Sequence, residues 1–169
     1  LASQSPGQVP ADPMLNKLVD DAMLQDVDSV NATLLKDYQS LIGSLLYCAV
    51  NTLPDAAFAV GMLCRAMGRP TLELYDAALR VLFYLHHHRH VGLRYEADAT
   101  ELAGQADSDW AVKHSTTGYV FSYSIAAISW ASKKQATIAL SSCEAEVVAL
   151  NEAAKEGVYL RRFLADLGF

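Results

Sequence analysis

The sequence predicts an α+β protein, on three observations. Apolar residues recur every three or four positions between Leu34 and His87. They alternate with polar ones between Leu93 and Leu140, and the helical spacing returns from Ser141 to Leu167. Helices, then short strands with polar connections, then one long helix make an antiparallel meander followed by a long helix, preceded by a helical segment.

Residues 1–33 read as an N-terminal arm. They combine Pro6, Pro10 and Pro13 with the acids Asp20, Asp21, Asp26 and Asp28, and leave room for one short helix around Met14 to Leu24. Residues 34–91 form the helical segment. Leu34, Tyr38, Ile42 and Leu46 line one row of the first helix, with Leu41, Leu45 and Cys48 beside it, and Asn51-Thr52-Leu53-Pro54 ends it. Pro54 opens the next helix, where its missing amide hydrogen costs nothing, and Gly68 stops it; Pro70 opens a third helix that runs to about His87.

Residues 92–169 hold the strands and the last helix. Period-two alternation marks strands at Leu93–Glu96, Leu102–Ala106, Gly118–Tyr123, Ala127–Trp130 and Ala136–Leu140, with Lys133-Lys134 in the last hairpin. The final helix, Ser141 to Leu167, is expected to turn Val147, Leu150, Ala154, Val158, Leu164 and Leu167 inward. Ser141 followed three residues later by Glu144 is a capping box, which assigns Glu144 to the helix start and leaves Glu146 free.

With 169 residues, 52% of them hydrophobic, the chain can bury a sizeable core. A net charge of −6 and a pI near 5.2 exclude a broad electrostatic grip on nucleic acid, which depends on Lys and Arg neutralising phosphates. Local basic groups remain: Arg80, Arg89 and Arg94, Lys113 with His114, Lys133-Lys134, and Arg161-Arg162. Cys48, Cys64 and Cys143 are far apart without CxxC spacing, which argues against a disulfide framework or a zinc site and fits a reducing or organellar interior. The uncharged run Tyr38–Pro54 is too short and too polar for a membrane span. Leu1 in place of an initiator methionine leads us to expect a missing leading segment, of the kind a targeting peptide provides. Consecutive histidines His86-His87-His88 and His90 on a helix end point in different directions and do not converge on one ion. Trp110 and Trp130, in strand contexts, are expected in the core.

In Gln105-Ala106-Asp107-Ser108-Asp109-Trp110-Ala111 two carboxylates stand two residues apart at a strand end. An Asp on a strand and a Glu on the helix packed over it make half of a divalent-metal site, because hard Mg²⁺ takes a few carboxylates plus water and phosphate oxygens. Asp107 and Glu146 are that pair.

The segments YQSLIGSLLYCAVNTLPDAAFAV (38–60), DAALRVLFYLHHHRHVGLRY (76–95), ADSDWA (106–111), STTGYVFSYSIAAISWASKKQATIALSSCEAEVVAL (115–150) and EGVYLRRFLADLGF (156–169) resemble, in this order, copia-type retrotransposon polyproteins. The resembling region is the end of the reverse transcriptase, its connection, and the first half of the ribonuclease H domain. The resemblance implies a ribonuclease-H-like fold that lacks its C-terminal part. It also implies hydrolysis of the RNA strand of an RNA/DNA hybrid by two Mg²⁺ ions, roughly 3.5–4 Å apart, held by four carboxylates. Asp107 matches the first acid and Glu146 the helix acid, while Lys133 and Lys134 match a loop that faces nucleic acid. The remaining two acids lie in the family beyond the position of Phe169.

Two carboxylates cannot readily hold two divalent cations, so this chain is expected to bind metal weakly and to have lost cleavage. It departs from the family pattern elsewhere too: the basic, glycine-containing insertion before Ser115 is shortened to Val112-Lys113-His114, Val147 replaces an aromatic, and Leu53 replaces a basic residue. The family's next strand would pair with the one carrying Asp107, so that strand is expected to present an open edge. The alternative reading is a domesticated, non-catalytic subunit that uses the leftover fold as a scaffold for other protein chains of a larger assembly.

Overall fold

The computed structural model describes residues 9–26, 30–96, 101–111 and 114–169. It is α+β, with five helices and a three-stranded antiparallel sheet among these residues. The chain divides into two compact units, Leu1–Gly92 and Leu93–Phe169. Asp28, Val112, Lys113 and the first residues of the expected arm lie outside the described residues.

The first unit is helical: α1 Leu15–Met23, α2 Ala32–Asn51, a 3-10 turn Pro54–Ala56, α3 Ala57–Cys64 and α4 Leu72–His87. Asn31 caps α2 by accepting from the Thr33 and Leu34 amides, and Thr71 caps α4 by accepting from Leu74. Tyr38 and Ile42 of α2, Val60 and Leu63 of α3, and Leu74 and Val81 of α4 are buried together. The Tyr38 hydroxyl donates to the Leu63 carbonyl at 2.8 Å, so the one polar atom of the largest buried side chain is satisfied. Burial pushes the Tyr38 phenol well above its ordinary range, with Cys64 adding to the shift. Residues 1–33 are not only an arm, because Leu15, Val19 and Ala22 on one face of α1 are buried in the same core.

The second unit consists of β1 Leu102–Asp109, β2 Thr116–Tyr123, β3 Ala126–Lys134 and α5 Ser142–Asp166. Sheet order is β1-β2-β3, both pairs antiparallel, so among the described residues β1 and β3 are the edges. The β2–β3 turn places Ser124 and Ile125 at φ 52° and 66°, the left-handed backbone that a two-residue hairpin demands. Two expected strands are absent. Leu93–Glu96 is irregular and is held by the Tyr95 hydroxyl donating to the Ala127 carbonyl. Ala136–Leu140 also leaves the sheet: the Gln135 amide donates to the Ser115 carbonyl, its side chain turns inward, and Ile138 and Leu140 are exposed. Lys133 and Lys134 are consequently the last residues of β3, opposite Thr117 and Thr116, and not a hairpin.

α5 packs on β1 and β2 through small residues. Ala145, Ala149, Ala153 and Leu160 form its buried face, whereas Val147, Leu150 and Leu167 are exposed, so the inward face expected from the larger aliphatic residues is the outward one. The physical reason is the narrow gap. The Phe121 ring fills the space left by Gly104 on β1 and Gly157 on α5: a Cβ at Gly104 would lie 2.3 Å from the ring and one at Gly157 3.1 Å. Leucines at positions 145 or 149 would not fit a helix held this close.

Gln135 fixes the other end of the seam. Its buried side-chain amide donates to Thr117 Oγ1 at 3.1 Å and to the Ala145 carbonyl at 2.9 Å, tying β2 to the first turn of α5. The Ser141 hydroxyl caps α5 by accepting from the Glu144 amide. The Glu144 carboxylate accepts from Leu140, one residue before the Ser141 amide that a capping box would use.

Two outcomes follow from this seam. Gly104→Ala should destabilise the second unit by about 1–3 kcal/mol through overpacking, and Phe121→Leu in the same chain should recover part of that loss, read by urea unfolding. Gln135→Ala should cost about 1–3 kcal/mol, and Thr117→Val should add little on that background because the shared hydrogen bond is already gone.

Candidate functional site

The direction of α5 over the sheet decides where the acids fall. Gly157 abuts Phe121, which pairs with Gly104, while the Ala145 carbonyl and Thr117 share Gln135, and Thr117 pairs with Ser108. The helix therefore starts over the Ser108–Thr117 row and runs toward the Gly104–Phe121 row. Asp107 and Glu146 lie at the same end of the unit, one on the edge strand and one in the first turns of the helix.

Both are exposed. The Asp107 carboxylate accepts from the Ser108 amide at 2.8 Å. Alternation gives it the orientation of Gln105, whereas Gly104, Ala106 and Ser108 turn toward α5. Glu146 follows the fully buried Ala145 and stands at the border of the packed face. No group of three or more His, Cys, Asp or Glu side chains that could hold a metal occurs among the described residues. The donor set is thus two separate carboxylates, which does not fit a pair of divalent cations.

Lys133 and Lys134 are exposed at this end. Lys133 lies on the Thr117 row and its charge reaches Glu152. The Glu152 carboxyl is held below its ordinary range by the hydrogen bond and charge of Lys155 first, with Lys133 adding to them. Glu156 accepts from the Ser129 hydroxyl at 2.6 Å. Burial raises the Tyr119 phenol, and the charges of Glu156 and Glu152 raise it further. Lys133 is therefore near enough to Glu152 for its charge to act there. Sequence reasoning saw Gln135 only as part of the Ser132-Lys133-Lys134-Gln135 motif of the resembling family and missed that it positions the start of α5, because its place after two lysines in an alternating run looks like that of an exposed strand residue.

The aromatic and histidine expectations divide. Trp110 is 45% exposed and donates from Nε1 to the Ala139 carbonyl, and Trp130 is half-buried, so neither is a core residue. His88 Nδ1 lies 2.8 Å from the Tyr84 carbonyl and its ring contacts Tyr84 and His87, so His88 packs at the end of α4, while His86, His87 and His90 are exposed.

No family model matches the chain, and no solved structure matches it. Curated relatives do. The secreted RxLR effector protein 161 of Plasmopara viticola is 42% identical over 128 residues, covering 73% of this chain and 90% of that protein. The retrovirus-related Pol polyprotein from transposon TNT 1-94 of Nicotiana tabacum is 42% identical over 135 residues, covering 78% of this chain but 10% of the polyprotein. That from transposon RE1 of Arabidopsis thaliana is 35% identical over 137 residues, 78% of this chain and 9% of the polyprotein. The chain spans about a tenth of the Pol polyproteins it matches and nearly the whole of the Plasmopara protein. A retroelement-derived sequence, the chain belongs to the family that the Plasmopara protein forms with the Pol polyproteins of copia-type retrotransposons.

Proposed function

We propose that residues 93–169 are the first part of a ribonuclease-H-like fold, a module whose ancestral reaction is two-metal hydrolysis of RNA in an RNA/DNA hybrid and which is inactive as this chain. One observation carries the reading: a three-stranded antiparallel meander followed by a helix packed on it brings Asp107 and Glu146 to one end of the sheet, in a chain homologous to retrotransposon Pol. Mg²⁺ is the cofactor such a module uses, as Lewis acid and source of the attacking hydroxide. Two exposed carboxylates supply only half of what such a site needs to offset two divalent charges, so we assign no catalytic step to them. Asp107 points away from the face on which α5 packs, so it and Glu146 do not converge on one cation, while Lys133 and Lys134 would offer two positive charges to a phosphate backbone at the same end. The net charge of −6 opposes that contact.

The second reading, a non-catalytic scaffold for other protein chains, is favoured by the exposed apolar side chains Val147, Leu150 and Val158 on α5 and by the unpaired side of β1.

A cleavage assay on a labelled RNA/DNA hybrid with Mg²⁺ or Mn²⁺, comparing the chain with Asp107→Asn, tests the loss of activity. The proposal predicts no cleavage by either protein. Cleavage that Asp107→Asn reduces by a hundredfold or more would contradict inactivity and leave the scaffold reading insufficient.

A further inference from the structure

Beneath the first turns of α5 the sheet presents polar side chains. Gly104 and Phe121 turn toward the helix, so alternation brings Ser108 and Thr117, which stand opposite each other in the β1–β2 pair, to the same face. Thr117 is buried there, and so is Gln135, only 4% exposed.

The hydrogen bonds of this patch do not close. Gln135 spends both hydrogens of Nε2, one on Thr117 Oγ1 at 3.1 Å and one on the Ala145 carbonyl at 2.9 Å. That carbonyl can only accept, so the amide cannot be turned over, and Oε1 is left buried with no partner among the described residues. Ser108 Oγ is buried without a partner among them as well. Thr117 accepts from Gln135 and keeps a hydroxyl hydrogen to donate. Buried polar atoms are as a rule hydrogen-bonded, because an orphaned one forfeits its bonds to solvent.

We propose that this patch binds one water molecule, which donates to Gln135 Oε1 and joins it to the hydroxyl groups of Ser108 and Thr117. The donor and acceptor set selects the occupant. Oε1 only accepts, which excludes an anion. A cation would meet the Thr117 hydrogen and be buried among uncharged side chains without compensation. A water can donate to Oε1 and to Ser108 while accepting from Thr117, and three bonds are what an internal water typically makes. The helix meets this row with Ala145, whose side chain is a single methyl group.

The water extends a knot that Gln135 begins. Gln135 ties β2 to the start of α5, and Ser108 brings β1 into the same set of bonds. Asp107 precedes Ser108 and Glu146 follows Ala145, so the bridge fixes the strand and the helix that carry the two acids. The inference rests on the bonds of the fold and not on those acids being ligands, and its test uses neither metal ion nor hybrid.

A crystal structure of the full chain should show one isolated water within about 2.5–3.2 Å of both Ser108 Oγ and Gln135 Oε1. In solution, oxygen-17 relaxation dispersion should count one long-lived water fewer in Ser108→Ala and in Gln135→Met than in the parent chain. Unchanged circular dichroism of Ser108→Ala separates a lost water from lost folding, and that variant decides alone should Gln135→Met not fold. Three results would each overturn the proposal. The first is a Ser108 hydroxyl bonded directly to Oε1 or to a main-chain carbonyl with no water between. The second is an equal count of long-lived waters in the parent chain and Ser108→Ala. The third is a thermal midpoint that rises with Na⁺ or K⁺ in the parent chain but not in Ser108→Ala, which would make the occupant a cation.

Discussion

The second unit depends on how closely α5 can approach its sheet, and that distance is set by Phe121 between Gly104 and Gly157. The ring occupies the volume that two missing side chains release, so the helix must bury its smallest residues, Ala145, Ala149 and Ala153, against the strands. Val147, Leu150 and Val158 are displaced to the outer face. A core of Phe121, Leu160 and several alanines, with Leu102, Tyr119 and Ile128 half-buried against it, is small, which leaves polar ties such as Gln135 to Thr117 and Ala145 with a larger share in fixing the helix.

The same seating determines what the surface can do. Because α5 begins at the Asp107 end of β1, acids and lysines from three elements collect at one end of the unit, while Leu150 and Arg161 stand exposed on the flank of the helix away from β3. A phosphate backbone would meet both signs of charge at this end. Net charge works against the phosphate backbone.

Much of this was legible in the residues. The helices of the first unit are periodic, and Pro54 and Pro70 mark two of their starts, so their order was readable with shifts of a few residues at the ends. The meander and the last helix were readable for the same reason, and the motifs around Asp107 and Glu146 pointed to the retroelement family. What was not legible depends on contacts between elements. Alternation in Ala136–Leu140 has the form of a strand, but Gln135 anchors inward and nothing there pairs. Val147 and Leu150 have the composition of a core face, yet α5 buries mainly alanine against the sheet, with Leu160 as its one larger buried aliphatic residue. Leu15, Val19 and Ala22 had helical spacing, but the flanking prolines made the region look like an arm rather than a packed helix.

The central claim is that α5 runs with its first turns at the Asp107 end of β1. Pulsed electron spin resonance tests it, using nitroxide labels on cysteines placed at the exposed positions 107 and 146, and at 107 and 163, in a chain freed of Cys48, Cys64 and Cys143 and diluted with unlabelled protein. The account predicts a clearly shorter distance for the first pair than for the second. Equal distances, or a shorter one to position 163, would contradict the seating of the helix and with it the site built on that seating.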